Sequence, residues 1–160
     1  MSTNLTSGQA PALDGTGRRV ALVCARFNDL IVDRLEAGAR RTLTGAGVSP
    51  SDIVTIKVPG ALEIPSAIRA IVHTGRFDAV VALGAVMRGD TYHFEVVSDQ
   101  SAAGIMRVAL DTGAAITNGI LTVDTEQQAL DRAGDDAGNK GSDAAAAALE
   151  MLAVFAALDD

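Results

Sequence analysis

Short apolar runs, each followed by a stretch with apolar residues at helical spacing, set the limits on what this chain can fold into. Arg19–Cys24 leads into Ile31, Leu35, Ala39 and Leu43, a helix stopped by Gly45 and Gly47. Ile53–Val58 passes through a Pro59-Gly60 turn into Ile64, Ile68, Ile71 and Val72, closed near Gly75. Ala79–Leu83 is continuously apolar, as suits a strand buried on both faces. A helix from about Thr91 to Leu110 follows, with Phe94, Val97, Ile105 and Val108 as its apolar positions. Ala114–Val123 reads as a fourth strand interrupted at Asn118-Gly119, and Thr125–Ala133 as a short helix. After the polar Gly134–Gly141 connection, Ser142-Asp143 is expected to cap a last helix striped by Ala145, Leu149, Leu152 and Phe155.

This alternation suits right-handed βαβ crossovers and predicts an α/β chain: a three-layer αβα sandwich, flavodoxin-like, with a four-stranded parallel sheet. The second strand alternates more than the third, which places it at an edge. Asn28 reads as a helix N-cap, with Asp29 in the first turn. Residues 18–160 form a single domain, of a size that buries about 70% of its unfolded surface. Residues 1–17, rich in Ser, Thr, Gly and Ala with Pro11, read as a flexible arm, ordered only if a neighbouring subunit ties it down.

The formal net charge of −7 argues against a nucleic-acid groove or an anionic membrane surface, so any bound phosphate must be held by a few local cations. The single cysteine, Cys24, sits in an apolar strand and reads as a buried inert thiol; no metal site is expected. No apolar run approaches a membrane span and the start lacks a signal-peptide pattern, so the expected location is cytoplasmic.

Chemistry concentrates where strands end, because open α/β sheets bind ligands at the carboxyl ends of their strands. Those ends carry Arg26-Phe27-Asn28, then Glu63, then Gly84–His93, then Asn118, and all are expected to converge on one rim. In the third group, backbone N–H groups at a helix start, with Gly89 allowing close approach, suit a phosphate. His93 is the nearby group that titrates close to neutrality and is a candidate general acid/base; a lone histidine also serves as a surface group. Phe27 belongs to a chain with only four Phe, one Tyr and no Trp; it either stacks on a flat heterocycle or anchors the core. Glu63 either accepts from ligand hydroxyls or complements a helix dipole. Arg132 and Lys140 flank the glycine-rich connection, where they either hold a phosphate or belong to a solvated loop. Asp90 must turn its carboxylate away from any anion. His73, at a helix end, has no chemical role in this reading. From the residues alone the conclusion is a phosphate-bearing small-molecule site with a histidine.

The same segments resemble a known family. Arg26-Phe27-Asn28-Asp29, Val58-Pro59-Gly60-Ala61-Leu62-Glu63-Ile64-Pro65, Gly84–His93 with Phe94-Glu95, Asn118-Gly119-Ile120-Leu121-Thr122, and Asp131-Arg132-Ala133-Gly134 with Gly138-Asn139-Lys140-Gly141 look like 6,7-dimethyl-8-ribityllumazine synthase. The resemblance implies a cofactor-free, metal-free condensation of 5-amino-6-(D-ribitylamino)uracil with 3,4-dihydroxy-2-butanone 4-phosphate, the penultimate step of riboflavin biosynthesis. It further implies that Phe27 stacks on the pyrimidine and that Ala61, Leu62 and Glu63 meet the ribityl chain. By the same resemblance Ala85, Val86 and Met87 line the ring. Gly89, Asp90 and Thr91 lie at the phosphate with Arg132 as counter-charge, His93 transfers protons, and Lys140 is a second cation. Asn118, Arg132 and Lys140 would come from a neighbouring subunit.

Many relatives carry an aromatic residue where this chain has Asn118, so one stacking face is expected to be missing. The resemblance implies a homopentamer. The seven residues between Arg132 and Lys140, with Gly138-Asn139 kept, lean towards the sixty-subunit icosahedral capsid that some members build. Under the same resemblance, riboflavin synthase is an expected partner. The competing reading is a flavin- or lumazine-binding paralogue with little or no turnover.

Overall fold

The computed structural model describes residues 8–159. Four parallel strands form one sheet: β1 (Val20–Ala25), β2 (Ile53–Val58), β3 (Ala79–Met87) and β4 (Ala115–Val123), in the order β2-β1-β3-β4. Between them run α1 (Asp29–Gly45), α2 (Ile64–His73) and α3 (His93–Thr112), and after β4 come α4 (Glu126–Asp131) and α5 (Lys140–Asp159). Single 3₁₀ turns at Pro50–Asp52 and Ala61–Glu63 precede β2 and α2.

The strand pleat divides the core into two faces. Val20, Leu22 and Cys24 of β1, with Val81 and Leu83 of β3, pack against Leu35, Ala39 and Leu43 of α1 and Ala145, Ala148 and Leu149 of α5. Ala21, Val23 and Ala25, with Val80 and Ala82, pack against Ile64 and Ile68 of α2 and Ile105 and Val108 of α3. This is the expected three-layer αβα sandwich. Burying each such Val, Leu or Ile is worth roughly 1.5–3 kcal/mol, and β1 is buried along its whole length. Burial also pushes the Cys24 thiol up to about 12, with the Glu36 charge adding to the effect; the inert reading holds.

The path β1→β2 runs one way across the sheet and β2→β3→β4 the other. With every crossover right-handed, that reversal puts α1 and α2 on opposite faces. It also opens a crevice between the carboxyl ends of β1 and β3, where a doubly wound sheet takes its ligand.

Several local expectations are corrected. β3 continues to Met87, because it keeps pairing with β4 as far as Met87–Val123. β4 is unbroken at Asn118-Gly119, which pair with Ala82 and Leu83. Gly119 is there for space: a Cβ would stand 2.8 Å from the Ala82 carbonyl and 3.1 Å from Ala144 Cβ. The helix after β4 is shorter than Thr125–Ala133, and α3 ends on Gly113 in the left-handed region rather than at Leu110. Ser142-Asp143 does not cap α5. The cap is Asn139, whose Oδ1 accepts from the Ser142 N–H at 3.0 Å. Asn28 stands at the N-cap position of α1 but makes no side-chain cap.

Residues 1–7 of the expected arm lie outside the described residues. Within the rest, Leu13 packs on the core and the buried Gly15 donates its N–H to the Ala46 carbonyl at 2.8 Å, so own-chain contacts hold this part. By length and composition α5 is apolar enough to cross a membrane, contrary to the sequence expectation. Its Ala144, Ala145, Ala148 and Leu149 are buried in the domain core.

Candidate active site

The crevice at the carboxyl ends of β1, β2 and β3 is a cleft of about 410 Å³, within the range of small-molecule sites. β1 delivers Phe27 and Asn28, the β2–α2 turn delivers Gly60, Ala61, Leu62 and Glu63, and β3 delivers Ala85, Val86 and Met87. The β3–α3 turn adds Gly89, Thr91 and His93. The structure thus brings together most of the residues singled out in the sequence. Phe27 is 73% exposed, which removes the core-anchor reading and leaves a ring free to face a ligand. Asp90 is exposed beside the cleft and does not line it.

His93 is the first residue of α3, and its backbone N–H donates to Thr91 Oγ1 at 3.3 Å. The imidazole therefore stands at the positive end of a 20-residue helix, beside an exposed glycine turn whose N–H groups suit an anion. A Cβ at Gly89 would meet nothing within 4 Å, so the protein leaves open space there. Glu63 occupies the N-cap position of α2 without capping it through its side chain.

The expected convergence on one rim fails for Asn118. It lies in mid-strand opposite Ala82, and its Oδ1 accepts from the Ile120 N–H at 2.8 Å. With Arg132, Lys140 and Asp143 it lines a second cleft of about 580 Å³ along β4 and α5, and the two clefts share no lining residue. There Arg132 donates to the Gln128 carbonyl at 3.0 Å, Lys140 Nζ lies 3.2 Å from Asp143 Oδ2, and the Lys140 N–H donates to the Arg132 carbonyl at 2.8 Å.

No arginine or lysine is among the described residues lining the first cleft. Arg88 is near it in sequence but is committed elsewhere: Nε donates to Asp124 at 2.7 Å, Nη1 pairs with Glu95, and the guanidinium lies 4.3 Å from the Phe94 ring centroid. The hydrogen bonds that Arg88 donates to Asp124 and Glu95 raise its pKa further, and Arg88 in turn holds the Glu95 carboxyl below its ordinary value. Arg88 braces the turn that carries His93.

Sequence reasoning placed Asn28 at the rim but read it as a helix cap and missed its bond to β3. Asn28 is the non-glycine residue with positive φ among those described, at 60°, and its Nδ2 donates to the Ala85 carbonyl at 2.7 Å. Asparagine tolerates the left-handed region, which was the one available signal.

The family model for 6,7-dimethyl-8-ribityllumazine synthase matches residues 17–156. The chain belongs to the 6,7-dimethyl-8-ribityllumazine synthase family. It is 51% identical to the enzyme of that name from Anaeromyxobacter sp. (strain K) over 92% of this chain and 91% of the relative. It is 46% identical to that of Halorhodospira halophila over 97% and 98%, and 50% identical to that of Cupriavidus metallidurans over 92% and 85%. Every site candidate, from Phe27 to Lys140, falls inside the stretch that the lumazine synthase family match covers.

Proposed function

We propose that this chain is a lumazine synthase, a transferase that condenses 5-amino-6-(D-ribitylamino)uracil with 3,4-dihydroxy-2-butanone 4-phosphate and releases phosphate and water. Family membership supports the reaction. In this reading Phe27 stacks on the pyrimidine, Glu63 accepts from ribityl hydroxyls, and the backbone of Ala85–Met87 meets the ring edge. The N–H groups of Gly89–Thr91 receive the phosphate. His93 moves a proton as the amine adds to the carbonyl and as phosphate leaves. Most of the acceleration comes from holding two reactive molecules together.

A single observation carries the assembly part of the reading. The cleft with the histidine and the glycine turn has no lining cation among the described residues, while Arg132 and Lys140 line a separate cleft on the same chain. A dianionic substrate needs both. We therefore place Asn118, Arg132 and Lys140 of one copy against the first cleft of a neighbouring copy in a homo-oligomer, for which the family resemblance indicates a pentamer.

The test is complementation. His93→Ala and Arg132→Ala subunits are each expected to be impaired. Oligomers reassembled from an equal mixture of the two contain junctions with both native residues, and are expected to exceed either parent in lumazine formation followed by absorbance. A mixture no more active than the average of its parents would sink the shared site.

A further inference from the structure

Among the described residues, Asn139 is one of two buried polar ones, with no exposed surface. Both of its carboxamide donors are used, and its oxygen accepts once. Nδ2 donates to the Arg34 carbonyl of α1 at 3.1 Å and to the Gly134 carbonyl at 2.8 Å, while Oδ1 accepts from the Ser142 N–H of α5 at 3.0 Å. Capping α5 needs only the acceptor, which a serine would supply equally well. The two donors do something else: they fasten the loop between α4 and α5 to the side of α1. A carboxylate lacks those donors and a hydroxyl has only one.

The fastened loop carries the two cations. Arg132 enters it two residues before Gly134, Lys140 leaves it directly after Asn139, and the Lys140 N–H closes on the Arg132 carbonyl at 2.8 Å. Space for the carboxamide is reserved by Gly38, where any Cβ would collide with it. The rest of the loop, Asp135–Gly138, is exposed and is held by a local turn in which Asp136 Oδ1 accepts from the Gly138 N–H at 3.0 Å.

We infer that Asn139 is a positioning residue: its two amide donors hold the Arg132–Lys140 loop in the geometry that receives the substrate phosphate. The inference rests on the assignment of Arg132 to that phosphate. Asn139 touches no substrate. It acts through the backbone that both cations share, and its loss is read in phosphate recognition rather than in the proton-transfer step.

The experiment compares Asn139→Ser, Asn139→Ala, Arg132→Ala and Leu149→Ala in the assembled enzyme, measuring KM for the butanone phosphate, kcat and Tm. Serine keeps the cap and cannot supply both loop donors. Asn139→Ser is expected to raise KM about tenfold with kcat within about twofold. Asn139→Ala is expected to show the same rise with a lower Tm, and if it fails to fold, the serine variant decides. Leu149→Ala, a core truncation on the same helix, is expected to lower Tm and leave KM unchanged. If Asn139→Ser leaves KM unchanged while Arg132→Ala raises it, the inference is overturned and the assignment of Arg132 stands. If Arg132→Ala leaves KM unchanged as well, both fall.

Discussion

Asn28 donates from Nδ2 to the carbonyl of Ala85 at 2.7 Å, across 57 positions of sequence. The bond ties the start of α1, and with it Phe27, to the strand that carries the His93 turn. It does so from a backbone held at φ 60°. Two substitutions separate these effects. Asn28→Gly keeps the conformation and loses the bond, at a cost of about 1 kcal/mol. Asn28→Ala also bears the left-handed strain, about 1 kcal/mol more. Urea unfolding should therefore rank parent, glycine and alanine in that order. Equal midpoints for the two variants would refute the strain, and an unchanged glycine variant would refute the bond.

His93 and Arg132 should fail in different ways. Proton transfer by a positioned side chain contributes about 10²–10⁴-fold, so His93→Ala is expected to lose kcat by that order while product still forms above the uncatalysed rate. Charge-assisted hydrogen bonds of about 1.5–3 kcal/mol to the phosphate make Arg132→Ala a KM variant, raised about tenfold or more for the butanone phosphate. Steady-state kinetics on both substrates distinguishes the two, and loss of kcat alone in Arg132→Ala would refute its role.

Glu36 couples the edge strand to α1 and to pH. Burial by itself would raise its carboxyl, but the hydrogen bond from Thr55 and the charges of Lys57 and Arg40 outweigh it and hold the group below 4.5. A carboxyl depressed in the folded state contributes stability above that value, and the contribution is lost as pH falls through the folded value. Chemical unfolding between pH 6 and pH 3 (about the range that brackets an ordinary carboxylate) should show parent stability declining more steeply than that of Glu36→Gln. Parallel curves would exclude Glu36 as the source.

Much of this molecule was legible in the sequence because its strands are short, apolar and β-branched and its helices are regularly striped. That pattern fixes layers, and β2 reached its edge as its alternation implied. What escaped was whatever depends on one side chain choosing between backbone partners. Asn28 looked like a cap and spends its amide on β3, whereas Asn139 was read only as part of a loop motif and caps α5. Gly119 looked like a strand break and is a packing glycine, because sequence shows the missing side chain but not the carbonyl that needs its space. The separation of Arg132 and Lys140 from the histidine cleft was readable only through family resemblance, since no spacing rule assigns residues to one side of a sheet or the other.

The tightest geometric requirement lies where α5 begins. A Cβ at Gly141 would collide with the backbone carbonyl of Leu35, a residue buried within α1. Neither side has a flexible end that can yield, so Gly141→Ala must push α1 and α5 apart. Overpacking of this kind costs about 1–3 kcal/mol. The displacement also pulls Asn139 from the Arg34 carbonyl, a buried bond worth about 1 kcal/mol more. The expected loss is therefore about 3 kcal/mol, and because Lys140 precedes Gly141 the surviving enzyme should bind the butanone phosphate less well. Gly45→Ala supplies the contrast. Gly45 ends α1 with nothing within 4 Å of its would-be Cβ and no positive φ, so alanine there should be neutral or stabilising by about 0.5 kcal/mol. Paired unfolding curves decide the matter: if the two variants fall within about 1 kcal/mol of each other (less than a single overpacked methyl group costs), the helix contact is softer than its geometry requires.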